Sequence, residues 1–178
     1  MISMSRILTL FAGLAALPLS ASVLAQEPVS ALKGHDANAP IDVAADRIEV
    51  QDRSDRAVFA GNVQVRQAAM TLDTARLTVA YTSGGGVQIR RLDASGGVTV
   101  KSPSETARGN FGIYDLDRKL ITLVGAVQLS RGGSQINGQR LTIDLNTGRA
   151  VVDGGPAGVG QSGGRVTGRF TVPRRGAN

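Results

Sequence analysis

Apolar and polar residues alternate with a period of two over most of the chain. Ile48 and Val50, for example, alternate with Arg47, Glu49 and Gln51. Because side chains two positions apart point to the same face of a β-strand, each such run predicts a strand with one buried face. The apolar residues of the later runs are Phe59, Val63, Val65, Leu72, Leu77, Val79, Val98, Val100, Phe111, Ile113, Ile121, Leu123, Val127, Leu129, Leu141, Ile143, Leu145, Val166, Phe170 and Val172.

Glycine-rich segments separate these runs. They lie at 83–86, 95–97, 131–134, 146–148 and 153–155, and their compositions are typical of turns. After the first 25 residues, no stretch carries apolar residues at the spacing of a helical face. The pattern therefore predicts an all-β fold.

The arginine positions indicate a repeat. Arg76, Arg108 and Arg140 lie 32 residues apart, and Arg47 precedes the series by 29. A repeat of about 30 residues is typical of stacked architectures, in which each unit buries its apolar face against its neighbours. Such a stack ends in two exposed strands, which are available for pairing with another chain.

Residues 1–25 have the layout of a secretory signal peptide. They contain one charged residue, Arg6, followed by an apolar run over 7–19 and small residues up to Ala25. The apolar run is shorter than the ~20 residues that span a bilayer, which favours cleavage after Ala25 over a membrane anchor. We therefore expect an exported protein.

The rest of the chain divides into three parts. Residues 26–40 have no periodicity and are expected to form a flexible arm, in which His35 is solvated, since a catalytic base needs a second group to position it. The repeats over 41–153 form the predicted domain. Residues 154–178 combine a glycine-rich segment, a possible last strand at Arg165–Val172 and a tail expected to be disordered.

The amino-acid composition excludes several kinds of catalytic and metal-binding site. The chain has no cysteine and one histidine, which excludes disulfides, thiol nucleophiles and multi-histidine metal centres. Five aspartates, at 73, 115, 117, 144 and 153, stand near predicted turns, where aspartate shapes loops, and no nucleophile-elbow motif is present. We expect no enzyme activity, no catalytic residue, no metal site and no cofactor.

The formal net charge of +6 predicts an anionic partner. An exported protein meets anionic lipids and polysaccharides before nucleic acid, and the chain has few aromatic residues for stacking on bases. On outward strand positions, Arg66, Arg90, Arg91 and Lys101 are candidates for contacts with phosphates or acidic sugars.

Several segments in this order and spacing resemble the OstA-like (organic solvent tolerance A) family. The opening of the family's domain resembles residues 45–47, 59–65 and 72–79. The later repeats resemble residues 107–109, 114–115, 120–125 and 136–138. The resemblance covers roughly 41–154, and the leader and small size are similar to those of the family's periplasmic members.

The resemblance implies a slightly open, twisted β-jelly roll with a hydrophobic interior. Family members bind the acyl chains of lipopolysaccharide in that groove, associate head to tail, and join LptC-like inner-membrane and LptD-like outer-membrane proteins. No nucleic-acid partner is expected. The inward set, with Gly61, Gly97 and Gly125 as small members, then predicts a lipid-binding groove formed by Ile48, Val50, Phe59, Val63, Val65, Leu72, Leu77, Val79, Val98, Val100, Phe111, Ile113, Leu123, Val127, Leu129, Leu141 and Ile143.

The alternation alone leaves other interpretations open. The same residues suit the filled core of an ordinary β-sandwich. The chain is then either an exported basic module that binds anionic polysaccharide or nucleic acid, or a structural β-solenoid of the envelope. Shielding is the physical argument for a groove, because at ~0.8 kcal/mol per methylene an exposed acyl chain costs on the order of 10 kcal/mol.

Overall fold

The computed structural model describes residue 32, residues 35–155 and residues 164–172. The predicted signal peptide, the arm up to residue 31 and the tail after Val172 lie outside the described residues. A 3-10 turn at Asp52–Ser54 lies between the second and third strands. The strands are β1 (Ile41–Ala44), β2 (Arg47–Gln51), β3 (Arg56–Gln67), β4 (Met70–Thr82), β5 (Gln88–Lys101), β6 (Glu105–Asp115), β7 (Leu120–Arg131), β8 (Ser134–Asp144), β9 (Arg149–Asp153) and β10 (Thr167–Arg169).

All of these strands belong to one antiparallel, open sheet, which confirms the all-β prediction. Strands β3 to β8 follow one another as hairpins, because short glycine-containing turns return each strand beside its predecessor. At one edge, β1 and β2 pair with opposite ends of β3. At the other edge, β10 and β9 pair with opposite ends of β8.

Bulges interrupt the long strands near their middles. Two-residue insertions with positive φ occur at Gly61-Asn62, Gly96-Gly97 and Gly125-Ala126, each beside a break in the ladder. A bulge bends a strand and shifts the pairing that follows it. Because the bulges stand at the same level in every second strand, β3, β5 and β7, they divide the sheet into two layers whose apolar faces share one core cluster.

The two layers are defined by their residues. The first layer contains β1, β10 and segments 63–67, 70–74, 98–101, 105–109, 127–131 and 134–138. The second layer contains β2, β9 and segments 56–60, 76–82, 88–95, 111–115, 120–124 and 140–144. A hydrogen bond of 2.9 Å from the Tyr114 hydroxyl to Oε1 of Gln67 connects them directly. This arrangement matches the slightly open jelly roll that the resemblance implied.

The register corrects the predicted repeat. Arg76 lies opposite Ser95, which lies opposite Phe111, and Val124 lies between Phe111 and Arg140 in the same row. The counterpart of Arg76 in the next unit is therefore Phe111, not Arg108. The true spacings alternate between 35 and 29 residues, and they average the 32 seen in the sequence.

The last strand is shorter than predicted. Only Thr167–Arg169 pairs with β8, whereas the sequence predicted a strand over Arg165–Val172. Among the described residues, no helix is long and apolar enough to cross a membrane.

Candidate functional site: an apolar cavity at the first-strand edge

A cavity of about 630 Å³ opens where the two layers meet the first-strand edge. We call it the edge cavity. Its residues come from β1 to β5 and the turns between them, and its exposed surface is mainly apolar. The lining residues are Ile41, Val43, Val50, Asp52, Asp55, Ala57, Phe59, Val79, Tyr81, Ser83, Val87 and Ile89.

Strand alternation directs these side chains inward. Ile41 and Val43 are half-buried on the first layer while Asp42 between them is exposed. In the second layer, Val50 lies opposite Ala57, which lies opposite Val79 in the next strand. Since no described strand continues the sheet beyond β1 and β2, the interior is open to solvent there.

The rim of the edge cavity is polar. The Ser83 hydroxyl donates to Oδ1 of Asp55 at 3.1 Å, and the Tyr81 hydroxyl lies 3.5 Å from Oδ1 of Asp52. Burial and the two nearby carboxylates raise the pKa of Tyr81, so its hydroxyl is neutral at physiological pH. An apolar space with a polar rim suits an amphiphile whose hydrocarbon enters and whose polar end stays in water.

Beyond the edge cavity, the interior is closely packed. Leu92 is 1% exposed and lies opposite Val79, which is part of the cavity wall. Further along the same interior, Leu123 and Leu141 are fully buried. The edge cavity therefore lies at one end of the core, next to fully buried side chains.

The structure distributes the predicted groove residues among four environments: the edge cavity, an exposed edge strand, the buried core and the outward face. Phe59, Val79 and Val50 line the edge cavity. Ile48 shares the inward row with Phe59, but it is 55% exposed because β2 is an edge strand. The predicted residues buried in the core cluster are Val63, Val65, Leu72, Leu77, Val79, Val98, Val100, Leu123, Val127, Leu129, Leu141 and Ile143.

Phe111 and Ile113 lie on the outward face, so the structure places them outside the interior. Phe111 is 56% exposed, and Ile113 is opposite Asp93 and Thr122. The bulge at Asn110 reverses the alternation of β6, and Gly112 faces inward instead. A Cβ on Gly112 would lie 3.1 Å from side-chain atoms of both Leu123 and Val98, so the crowded interior favours glycine there.

The glycines assigned to the groove serve the bulges instead. Gly61, Gly97 and Gly125 have φ angles of +80°, +87° and +82°, which L-residues with side chains rarely adopt. They allow the strands to bend between layers, and none of them lines the edge cavity.

The proposed phosphate-binding cations have protein partners. Arg90 pairs with Asp117, Arg91 with Asp93 at 2.7 Å and Lys101 with Asp73 at 2.9 Å. The Arg66 guanidinium donates to Oε1 of Gln64 at 2.6 Å. The hydrogen bond from Lys101 lowers the pKa of Asp73. A phosphate at these positions has to compete with a carboxylate or an amide.

Two of the five aspartates expected to shape turns, Asp115 and Asp144, do so, whereas Asp73 lies within β4 and pairs with Lys101. Asp115 accepts a hydrogen bond from the Arg118 backbone N–H at 2.9 Å. Asp144 accepts from the N–H groups of Asn146 and Thr147, which lowers its pKa. Within the described ranges, no group of three His, Asp or Glu residues has the geometry to hold a metal ion.

A buried polar network escaped the sequence analysis. Gln67 and Tyr114, both 2% exposed, join the layers, and His35 lies against Gln67 with a distance of 3.0 Å between Nε2 and Oε1. His35 is thus half-buried and hydrogen-bonded, contrary to the expected solvated side chain. Alternation in β3 offered a signal, since Gln67 continues the inward series of Val63 and Val65.

Three comparisons with known proteins agree with this geometry. Residues 42–149 match the family model described as LptA/(LptD N-terminal domain) LPS transport protein. An uncharacterised protein, R00383, of Rhizobium meliloti (strain 1021) is 34% identical over 151 residues, covering 80% of this chain and 81% of that protein.

A solved structure shows the same fold. The crystal structure of LptH, described as the LptA-homologous periplasmic component of the lipopolysaccharide transport device of Pseudomonas aeruginosa, aligns with a TM-score of 0.67. The alignment covers 78% of this chain and 99% of the LptH chain, with 18% sequence identity. The family match and the identity to the Rhizobium protein confirm the OstA-like resemblance, and the chain belongs to the LptA/LptD N-terminal domain family of lipopolysaccharide transport proteins.

Proposed function

We propose that this protein shields an acyl chain of lipopolysaccharide in the edge cavity while the lipid crosses the periplasm. The observation that carries the proposal is an apolar cavity of about 630 Å³ that opens at a sheet edge in a lipopolysaccharide transport family. This volume is within the roughly 300–1,000 Å³ of typical small-molecule sites.

The energetics favour shielding over simple adhesion. At ~0.8 kcal/mol per methylene, burying even half of an ordinary acyl chain stabilises the complex by several kcal/mol. Phe59, Val79 and Ile89 supply apolar contacts, and the rim at Asp52 and Ser83 remains hydrated. The protein contributes a surface that excludes water, and no bond is made or broken.

The location and partners follow from the same role. An LptA-like protein acts in the periplasm, after removal of residues 1–25, between LptC-like and LptD-like membrane proteins. The edges support an end-to-end bridge, because β1 and β2 each pair only with β3 among the described strands, and β9 and β10 pair only with β8. Backbone groups on the outer sides of these strands are available to a strand of another domain.

Two variants with matched exposure test the proposal. Val50 lines the edge cavity and is 57% exposed, while Phe111 is on the outward face and is 56% exposed. With purified full-length mature chain and rough-type lipopolysaccharide, Val50→Asp lowers affinity by about tenfold or more, since a charge in an apolar contact is costly. Phe111→Asp leaves it unchanged.

The contrary outcomes are specific. Equal affinities for both variants and the wild type would place the lipid elsewhere. Tight, salt-sensitive binding of de-acylated lipopolysaccharide would instead support a module that recognises anionic polysaccharide.

A further inference from the structure

Gln67 uses the full hydrogen-bonding capacity of its side-chain amide inside an apolar core. Its Oε1 accepts from the Tyr114 hydroxyl at 2.9 Å and lies 3.0 Å from Nε2 of His35. Its Nε2 donates to the carbonyls of Ala37 at 3.1 Å and Ala39 at 3.0 Å. An amide offers two donors and two acceptor positions, and each has a partner here. We call this set the Gln67 bridge.

The Gln67 bridge crosses the interior from one layer to the other. Gln67 ends β3 in the first layer, and Tyr114 is on β6 in the second layer. Both side chains are 2% exposed. Burying polar groups in this position costs desolvation free energy unless each group has a hydrogen-bond partner. Because every polar group of the Gln67 bridge has one, the bridge forms a discrete closed state.

The bridge stands next to the inner end of the edge cavity. Ile41, which lines the cavity, is the register partner of Gln67 in the first layer. In the second layer, the row from the cavity runs from Val79 to Leu92 and then to Tyr114. Hydrocarbon that moves inward from the cavity along this row therefore passes one packed side chain, Leu92, before it meets the bridge at Tyr114.

We propose that the Gln67 bridge sets how far an acyl chain enters the interior, so that Gln67 and Tyr114 determine which chain lengths the cavity accepts. This inference rests on the proposed function. While the bridge is closed, a chain is confined to the edge cavity. A chain that passes further separates Tyr114 from Gln67 and leaves buried polar groups without partners.

The segment before β1 takes part in the same device. His35 and the carbonyls of Ala37 and Ala39 hold Gln67 in place from the side of the chain that precedes Ile41. Opening the bridge therefore loosens residues 35–39 together with Gln67. Opening of the Gln67 bridge can therefore be detected at residues 35–39, which an acyl chain does not need to contact.

The test uses a fatty acid that carries a photoreactive diazirine on its terminal carbon, with labelled residues identified by mass spectrometry. In the wild-type mature chain, label falls on cavity residues such as Val79 and Ile89. In Tyr114→Phe, which removes one hydroxyl and keeps the ring, label at Leu123 and Leu141 rises several-fold. Thr122→Val, which removes a hydroxyl from the outward face of the same layer, leaves the wild-type pattern.

A chain-length series keeps the inference testable if Tyr114→Phe fails to fold. For wild-type protein and saturated fatty acids of increasing length, affinity stops rising once the chain fills the edge cavity. An affinity that rises steadily past that length overturns the barrier. Equal labelling of Val79 and Leu123 in the wild type also overturns the barrier. That result leaves the proposed function intact. Absence of label at every interior residue contradicts the proposed function itself.

Discussion

Val79 lines the edge cavity, and Leu92, its direct partner in the neighbouring strand, is 1% exposed. The two side chains point to the same face, one strand apart. At this pair of residues, the boundary between open and packed interior therefore runs between β4 and β5. Val79 belongs to the wall of the edge cavity, and Leu92 belongs to the packed core.

Truncations on either side of this boundary have different costs. Leu92→Ala removes a buried side chain and leaves a cavity, so it lowers the free energy of unfolding by about 2–5 kcal/mol. Val50→Ala, at an exposed position of the edge cavity, lowers it by less than about 1 kcal/mol. Urea unfolding followed by circular dichroism measures both, and similar losses would contradict the boundary.

The bulge in β5 provides a matched pair of glycines. Gly96 and Gly97 have φ angles of +84° and +87°, so alanine at either position loses about 1–2 kcal/mol of stability from backbone strain. A Cβ on Gly96 would lie 2.8 Å from Cβ of Ala75, whereas a Cβ on Gly97 meets nothing within 4 Å.

Gly96→Ala is therefore expected to unfold at a lower urea concentration than Gly97→Ala. Combining Gly96→Ala with Ala75→Gly removes the overlap and recovers part of the difference. If the two single variants have the same midpoint, close packing across the bulge is not what fixes the bend.

Two carboxylates affect stability with opposite dependence on pH. The hydrogen bond from Lys101 lowers the pKa of Asp73 below its ordinary value. Burial raises the pKa of Glu105 above its ordinary value, against the opposing effects of Arg131 and the Leu32 N–H. Stabilisation by Asp73 is thus present above about pH 4 and disappears as the pH falls through its folded-state pKa. Ionisation of Glu105 instead destabilises the fold as the pH rises through its raised pKa.

The corresponding variants separate these contributions. Asp73→Asn lowers the free energy of unfolding at pH 7 by less than about 1 kcal/mol, because the pair is solvent-screened, and this loss vanishes in acid. Glu105→Gln raises the free energy of unfolding at pH 7, and the gain vanishes below about pH 4. Urea midpoints between pH 3 and pH 7 measure both slopes, and a loss of stability in Glu105→Gln at pH 7 would refute the second.

The first-strand edge predicts self-association that a single charge weakens. Ile48 is 55% exposed on β2, and lysine on an edge strand disfavours pairing with another strand. Ile48→Lys is expected to lower the average mass of the protein at high concentration, as measured by light scattering. Phe111→Lys, away from both edges, leaves it unchanged. A wild-type monomer at all concentrations would contradict end-to-end assembly.

The sequence was sufficient for strands whose alternation is uninterrupted. Leu77 and Val79 in β4, or Leu141 and Ile143 in β8, show their buried face directly, because every second residue is apolar. The alternation predicted that Phe111 and Ile113 face inward, but one bulge residue, Asn110, reverses the phase of alternation within β6. An apolar residue then faces outward, and glycine faces inward, where space is limited by Leu123 and Val98.

Contacts between layers were beyond sequence reasoning. Alternation shows that Gln67 and Tyr114 face inward, but the two residues are 47 positions apart and belong to different layers. Their distance depends on the bend at the bulges, which no local pattern specifies. The extent of the edge cavity could not be predicted from the sequence for the same reason. Val79 and Leu92 both stand in alternating apolar positions, but only Val79 lines the cavity.

Photocrosslinking in living cells tests the central claim most directly. A photoreactive phenylalanine analogue placed at Phe59, which lines the edge cavity, or at Phe111, on the outward face, is irradiated and probed for attached lipopolysaccharide. A lipopolysaccharide adduct from position 59 and none from position 111 is the result the account predicts. An adduct from position 111 alone, or equal adducts from both positions, would contradict acyl-chain binding in the edge cavity.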